Sequence, residues 1–261
     1  MKRSINKNPN LWEEDSIRNL KIAYHNIHSL QNKILDIKAD QMLLTYNNII
    51  IFGETWQTDN VDVLKLEGFN FHHNFMKRGK GLVIYYRDET VIVETVHGDE
   101  HLQMSAIRNK KIEIIGFYRS TDDKNFVHAL QQHIIPMQSY LLIGDMNICS
   151  NKNKNHKVFE YLNSMGFELL TKEPTHIQGG SIDQAWIRMY KEDYFIPDVS
   201  IYSPIYNCID HDALFVCLKS IFSDRFIGKI FFCFFNLSIN ICCRGSFNLK
   251  TWSIYICCRK T

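Results

Sequence analysis

The sequence predicts an α/β protein built on mixed β-sheets. Short apolar runs rich in Ile, Val, Tyr and Phe clearly outnumber the helix-like stretches between them. One of them, GLVIYYRD (81–88), is followed closely enough by TVIVETV (90–96) to form a hairpin around Asp88 and Glu89. Antiparallel neighbours of this kind argue against a doubly wound parallel sheet.

The other runs of strand length, in order, are LKIAYHNI (20–27), NNIIIFGE (47–54), LQMSAIRN (102–109), KIEIIGFYR (111–119), YLLIGDMNI (140–148), DQAWIRM (183–189) and HDALFVCL (211–218). In the last, both alternating sets after Asp212 are apolar. It therefore reads as a central strand covered on both faces, with Asp212 as its polar lead-in. Helical spacing places Leu30, Ile34, Leu35, Ile37 and Met42 roughly on one side of a helix over 29–44, with Ser29 as N-cap. Further helices are expected over 123–134 and 155–165, the second closed by Gly166 at C′. Residues 19–220 contain no internal repeat and no Gly/Pro/Ser-rich linker. They are expected to form one domain between an N-terminal leader (1–18) and a C-terminal tail (221–261).

With 45% hydrophobic residues in 261, the chain can fill a core, which argues against disorder. The net charge of +2 hides an asymmetry, because the tail holds six Lys/Arg against one Asp and leaves 24 basic and 27 acidic residues before position 221. That larger part is not a generically basic nucleic-acid binder; it would need a local patch or a bound cation. The tail also holds five of the eight Cys and seven of the 17 Phe, without helical or strand periodicity. Its most apolar stretch, 230–235, falls short of the roughly 18 apolar residues of a membrane span, and its paired cysteines lack CxxC spacing. An irregular extension, with no membrane partner, is the expectation. Scattered Cys149, Cys208 and Cys217, and an N-terminus without an apolar signal core, point to a reducing, intracellular location.

Several strands end in the same way. IIIFG runs into Glu54, YLLIG into Asp145 with Asn147 two residues on, and KIAYH into Asn26. A carboxylate at the end of a buried strand is costly to desolvate unless it is paired or binds a cation. One such residue can simply start a loop; three of them, with Asp210 and His211, indicate a shared site.

The segments YHNIHSL, IIIFGETW, RGKGLVIYY, GFYRS, LLIGDMN, THIQGGSIDQAW and DHDALF, in this order and at these intervals, resemble the endonuclease/exonuclease/phosphatase superfamily. The resemblance is closest to the apurinic-like endonuclease domain of non-LTR (LINE-type, jockey-like) retrotransposons and covers roughly residues 20–218. It implies a four-layer αββα sandwich of two mixed sheets flanked by helices, the DNase I-like fold. It also implies a phosphodiesterase site at one edge that uses Mg²⁺, with Mn²⁺ as an alternative. In this resemblance Glu54 matches the principal metal ligand, Asn26 lies beside it, and Asp210 lies close to the metal. Asp145 matches the residue that orients or deprotonates the attacking water, and Asn147 the carboxamide that holds water and phosphate. Tyr118 matches a tyrosine whose hydroxyl reaches the scissile phosphate, and Asp183 the carboxylate paired with a histidine, here His211.

That set suits the chemistry. An anionic nucleophile must approach an anionic phosphate, so a cation on hard oxygen ligands has to neutralise charge. A histidine held by an aspartate donates more readily to a phosphoryl oxygen. No Cys or cluster of His in the sequence points to zinc instead.

Each residue also has a plainer role. Asn26 and Asn147 could cap or turn, Tyr118 could pack in the core, and Asp183 could open a strand. Trp186 is read as core, and His25, His28, His72 and His73 as surface or packing residues without a role. The sequence departs from the family at Ile209, where Ser is usual, at RGKG in place of RGGG, and at FYRS, which lacks a Pro.

The expected function is a DNA endonuclease that nicks one strand and leaves a 3′-hydroxyl, acting as a monomer in the nucleus. No YxDD sequence occurs, so a detached or truncated domain without reverse transcriptase is expected. The alternatives are a phosphomonoesterase or phospholipid phosphodiesterase of the same fold, or a decayed remnant that only binds nucleic acid. Target specificity is assigned to surface loops, including residues 175–180.

Overall fold

Alternation of side chains along the strands builds a four-layer sandwich. The computed structural model describes residues 19–56, 64–74, 77–87, 91–108, 112–190, 195–204 and 210–220. The leader, the tail, Cys208 and Ile209 lie outside the described residues.

One sheet contains β1 (Asn19–Asn26), β2 (Ile49–Gly53), β3 (Asn70–Asn74), β4 (Leu82–Tyr86), β11 (Phe195–Tyr202) and β12 (Ala213–Ser220), in the order β11-β12-β1-β2-β4-β3. The other contains β5 (Ile92–Gly98), β6 (Leu102–Arg108), β7 (Glu113–Arg119), β8 (Tyr140–Asp145), β9 (Glu168–Leu169) and β10 (Asp183–Arg188), in the order β5-β6-β7-β8-β10-β9. Each sheet has one parallel pair, β1 with β2 and β7 with β8, and all other pairings are antiparallel. The sheets are mixed, as the sequence predicts.

Three apolar clusters follow from the period of two along each strand. Ile22, Ile51, Ile84, Ile114, Leu141, Ile143, Leu214 and Val216 fill the space between the sheets. The alternate set, with Ala23, Ile50, Phe52, Val83, Tyr85 and Phe215, packs outward against α1 (Leu30–Ala39) and α2 (Gln41–Tyr46). On the other side Met104, Ile115, Phe117, Leu142 and Trp186 pack against α3 (Phe126–His133) and α4 (Lys157–Ser164). Both alternating sets of β12 from Ala213 to Leu218 are buried, and Asp212 receives the Ser203 hydroxyl outside the strand. Trp186 is a core residue whose indole donates to Gln184.

Several local expectations are corrected. β4 and β5 do not form a hairpin: β4 is flanked by β2 and β3 in one sheet, and β5 pairs with β6 in the other. Closeness in sequence therefore marks a crossing between sheets. The helix expected over 29–44 is broken at Asp40, whose side chain accepts from Leu43 N and starts a new helix. Leu30, Ile34 and Ile37 are buried, but Leu35 is 78% and Met42 41% exposed, so the apolar stripe is narrower than the spacing indicates. Ser29 stands at the first cap position without a side-chain cap bond. The carbonyls of Glu54 and Thr55 instead accept from Ser29 N and Leu30 N, which ties the loop after β1 to the loop after β2. Gly166 does close α4: it has φ 79°, and Gly166 N and Phe167 N donate to Asn163 O and Leu162 O. Strands β3, β9 and β11 were not expected from the sequence.

Gly144 of β8 pairs with Phe117 of β7, and a Cβ there would lie 2.0 Å from the Phe117 carbonyl oxygen. A Gly144→Ala change is expected to lower stability by about 3 kcal/mol or more, since a backbone oxygen cannot move aside as a side chain can. Gly79→Ala, at φ 72° with open space around it, should cost only about 1 kcal/mol. Denaturant unfolding of the two variants checks this, and equal costs would contradict it.

Candidate active site

The topology brings the expected site residues to one edge. β1, β2, β7 and β8 run in the sense that places their C-terminal ends there, and β10, antiparallel to β8, begins opposite the end of β8. Asp183 is thus paired in register with Asp145, and Tyr118 lies across from Asp145 on the other side. β12, antiparallel to β1, begins near the end of β1, which delivers His211 to the same edge.

Asn26 joins the two sheets. Its Nδ2 donates to Glu54 Oε1 at 3.0 Å and to Asp145 Oδ2 at 2.9 Å, so one amide holds a carboxylate from each sheet. Asp145 also accepts from Asn147 N at 2.7 Å and from Asn147 Nδ2 at 3.2 Å. Asn147 in turn donates to Arg119 O at 2.7 Å, and buried Arg119 binds Met146 O and Asp123. The loops after β7 and β8 are therefore fixed to one another. Tyr118 is buried beside them, close to the Glu54, Asp145 and Asn147 side chains. Burial and the nearby carboxylates push its pKa up, so it stays a neutral phenol.

His211 Nδ1 lies 2.9 Å from Asp183 Oδ2, and both residues are buried. Burial alone would disfavour the imidazolium, but Asp183, then Asp145 and Asp210, outweigh it and raise the His211 pKa to about 9. Asp145 moves well above the usual carboxylate range, first through burial and then through Asp183, with His211 partly offsetting the rise. Asp183 Oδ1 is buried and accepts no hydrogen bond, so like charges crowd this corner.

All eight expected site residues, Asn26, Glu54, Tyr118, Asp145, Asn147, Asp183, Asp210 and His211, converge on this edge. Three histidines without an expected role, His25, His28 and His176, come with them. His25 is buried, its Nε2 3.2 Å from the His211 carbonyl, and burial lowers its pKa to about 3. His28 Nε2 lies 3.1 Å from Glu54 Oε2, and its Nδ1 lies 3.4 Å from Asp210 Oδ1. His176 forms a β-bridge with His211, and their rings meet edge to face at 4.9 Å. His28 does the same from another side at 5.6 Å. These contacts join segments far apart in sequence; the one signal available beforehand was the position of His28 two residues after Asn26.

The backbone is shaped for this arrangement. His28, Glu54 and Asn147 have φ of 45°, 49° and 50°, the left-handed region that residues other than glycine disfavour. The RGKG segment supports one of these turns, because Gly81 O accepts from Thr55 N and Lys80 O from Trp56 N.

A divalent cation fits the donor set. Asp210 Oδ1 is buried and accepts no hydrogen bond, and Glu54 Oε2 lies on the opposite side of the His28 ring. Ligand atoms of His28, Asp210 and His211 lie within 4.8 Å of one another, as do those of Asp145, Asp183 and His211. Asp210 would hold the ion within the first of these groups, whereas Glu54, its Oε1 fixed by Asn26, stands across the His28 ring and belongs to neither.

The raised pKa of His211 has a defined consequence in the metal-free protein. The His211–Asp183 ion pair stabilises the fold fully below the unfolded histidine pKa of about 6.5 and is lost as pH rises through about 9. Titration followed by imidazole NMR signals should place His211 near 9 and move it down in Asp183→Asn. A midpoint below 7 in the parent would contradict this.

No protein-family model matches the chain, and no curated protein matches it in sequence. Solved structures do. The endonuclease domain of TRAS1, a telomere-specific non-LTR retrotransposon, superposes with a TM-score of 0.58 at 14% identity, over 77% of this chain and 99% of that one. An AP endonuclease from Archaeoglobus fulgidus gives 0.57 at 16%, over 77% and 99%. The 3′-5′ exonuclease NExo from Neisseria meningitidis gives 0.58 at 16%, over 76% and 98%. At such identities the likeness speaks for the fold. The chain therefore has the DNase I-like α/β sandwich of the endonuclease/exonuclease/phosphatase proteins, the fold of a retrotransposon endonuclease domain among them.

Proposed function

We propose that this protein is a metal-dependent DNA endonuclease that nicks one strand and leaves a 3′-hydroxyl. The observation that carries the reading is the cross-sheet set itself: Asn26 tying Glu54 to Asp145, beside a buried His211–Asp183 pair. The neighbouring folds support it, since they include two endonucleases and a Neisseria 3′ phosphatase bound to a product DNA hairpin. Among the described residues no helix is long and apolar enough to cross a membrane.

Each side chain has a task in hydrolysis. Asp145, fixed by Asn26 and Asn147, takes a proton from the attacking water, and the burial that raises its pKa makes it a stronger base. His211, charged through Asp183, donates to a non-bridging phosphoryl oxygen as negative charge grows there. Tyr118 and Asn147 add neutral donors to the same phosphate. A divalent cation on Asp210, Mg²⁺ or Mn²⁺, supplies charge neutralisation when bound. The exposed Lys77 and Arg78 of the turn that buttresses Thr55 and Trp56 provide the local basic patch that DNA phosphates need. The reading includes a monomer acting on nuclear DNA.

The test uses the full chain and supercoiled plasmid, with Mg²⁺, Mn²⁺ or EDTA. Metal-dependent conversion to relaxed circles is expected, slowed by about a hundredfold or more in Asp145→Ala and in His211→Ala. No nicking by the parent at any metal concentration contradicts the proposal. Release of inorganic phosphate from inositol polyphosphates would favour a phosphomonoesterase, and plasmid binding without cleavage a decayed remnant.

A further inference from the structure

His28 lies between the carboxylates of Glu54 and Asp210. Its Nε2 is 3.1 Å from Glu54 Oε2 and its Nδ1 is 3.4 Å from Asp210 Oδ1, with the side chain 31% exposed. A neutral imidazole carries one N–H and one lone pair. When the proton is on Nε2, the Nδ1 lone pair faces Asp210 Oδ1, a buried oxygen that accepts no hydrogen bond. A cation shared by these two atoms would satisfy both, and ligand atoms of His28, Asp210 and His211 lie within 4.8 Å of one another. The ring is also held in place: its backbone is left-handed at φ 45°, Ser29 N is bonded to Glu54 O at 2.8 Å, and His211 packs on its edge.

We propose that His28 is itself a metal ligand, donating Nδ1 beside the carboxylate of Asp210, and that the site prefers Mn²⁺ to Mg²⁺. This rests on the cation site of the preceding reading. Mg²⁺ favours oxygen donors in strict octahedral geometry, whereas an imidazole nitrogen favours first-row transition metals. Exchanging one oxygen for nitrogen therefore shifts selectivity without removing the hard ligands that hydrolysis needs.

The experiment is pulsed electron paramagnetic resonance of Mn²⁺ bound to the full chain, with Mg²⁺ competition titrations. The expected result is nitrogen-14 coupling of a directly bound imidazole, absent in His28→Asn. Asparagine tolerates left-handed backbone, so this variant keeps the loop geometry. Its Mn²⁺ affinity should fall roughly tenfold or more while its Mg²⁺ affinity changes less than about threefold. Bound Mn²⁺ without nitrogen coupling in the parent overturns the inference, and that spectrum decides the question even if His28→Asn fails to fold. Coupling that persists in His28→Asn and vanishes in His176→Asn or His211→Asn overturns it as well. Nitrogen-bound Mn²⁺ on a chain that cuts no DNA leaves the ligand standing and removes the nuclease reading; nicking with oxygen-only Mn²⁺ does the reverse.

Discussion

The structure depends on a burial of like charges at the seam between its sheets. Asp145 and Asp183 are each at most 1% exposed and stand in register on neighbouring strands, with Glu54 reaching in from the other sheet. Burying unpaired carboxylates costs several kcal/mol each in effective terms, so the fold has to supply compensation locally. It does so with the Asn26 amide between Glu54 and Asp145, the Asn147 backbone and side chain on Asp145, and His211 on Asp183. What remains uncompensated, at Asp210 and Asp183, is oxygen with no donor. A divalent cation at this seam, as proposed, would offset what remains.

The strands that carry the chemistry were legible because each combines an unbroken apolar run with a polar end. IIIFG before Glu54 and YLLIG before Asp145 need cover on both faces, and both are interior strands. Their convergence also followed, since the ends of β1, β2, β7 and β8 share one edge. The edge strands were not legible. NFHHN in β3 and FIPDVSIY in β11 are only half-buried, so neither apolar alternation nor an apolar run marks them. Pairing was not legible either: residues 88–90 separate two strands that belong to different sheets, a fact set by the register of β2 and β6 far along the chain. The capping of α1 was missed for the same reason, because its donors are satisfied by carbonyls of residues 54 and 55 rather than by its own Ser29.

The histidines show a related limit. His25 and His28 sit on β1 and the loop beyond it, while His176 and His211 come from two distant loops joined by a β-bridge. A motif scan weighs residues near one another in sequence, and these meet only after the sheets close. Their environments differ accordingly. His25 is held neutral by burial, whereas His211 beside Asp183 is driven to the charged form. One fold thus sets two histidines, joined through a backbone carbonyl, at opposite ends of the titration range.

The central claim is that the seam is completed by a divalent cation held through Asp210. A ligand that binds the folded state alone raises the melting temperature by mass action, by an amount worth about 2.7 kcal/mol at a hundredfold excess over its dissociation constant. The direct measurement is the melting temperature of the full chain against Mn²⁺ and Mg²⁺ concentration, beside Asp210→Asn. The account predicts a metal-dependent rise in the parent that is largely lost in the variant. A parent that shows no rise, or a variant that rises equally, would contradict it.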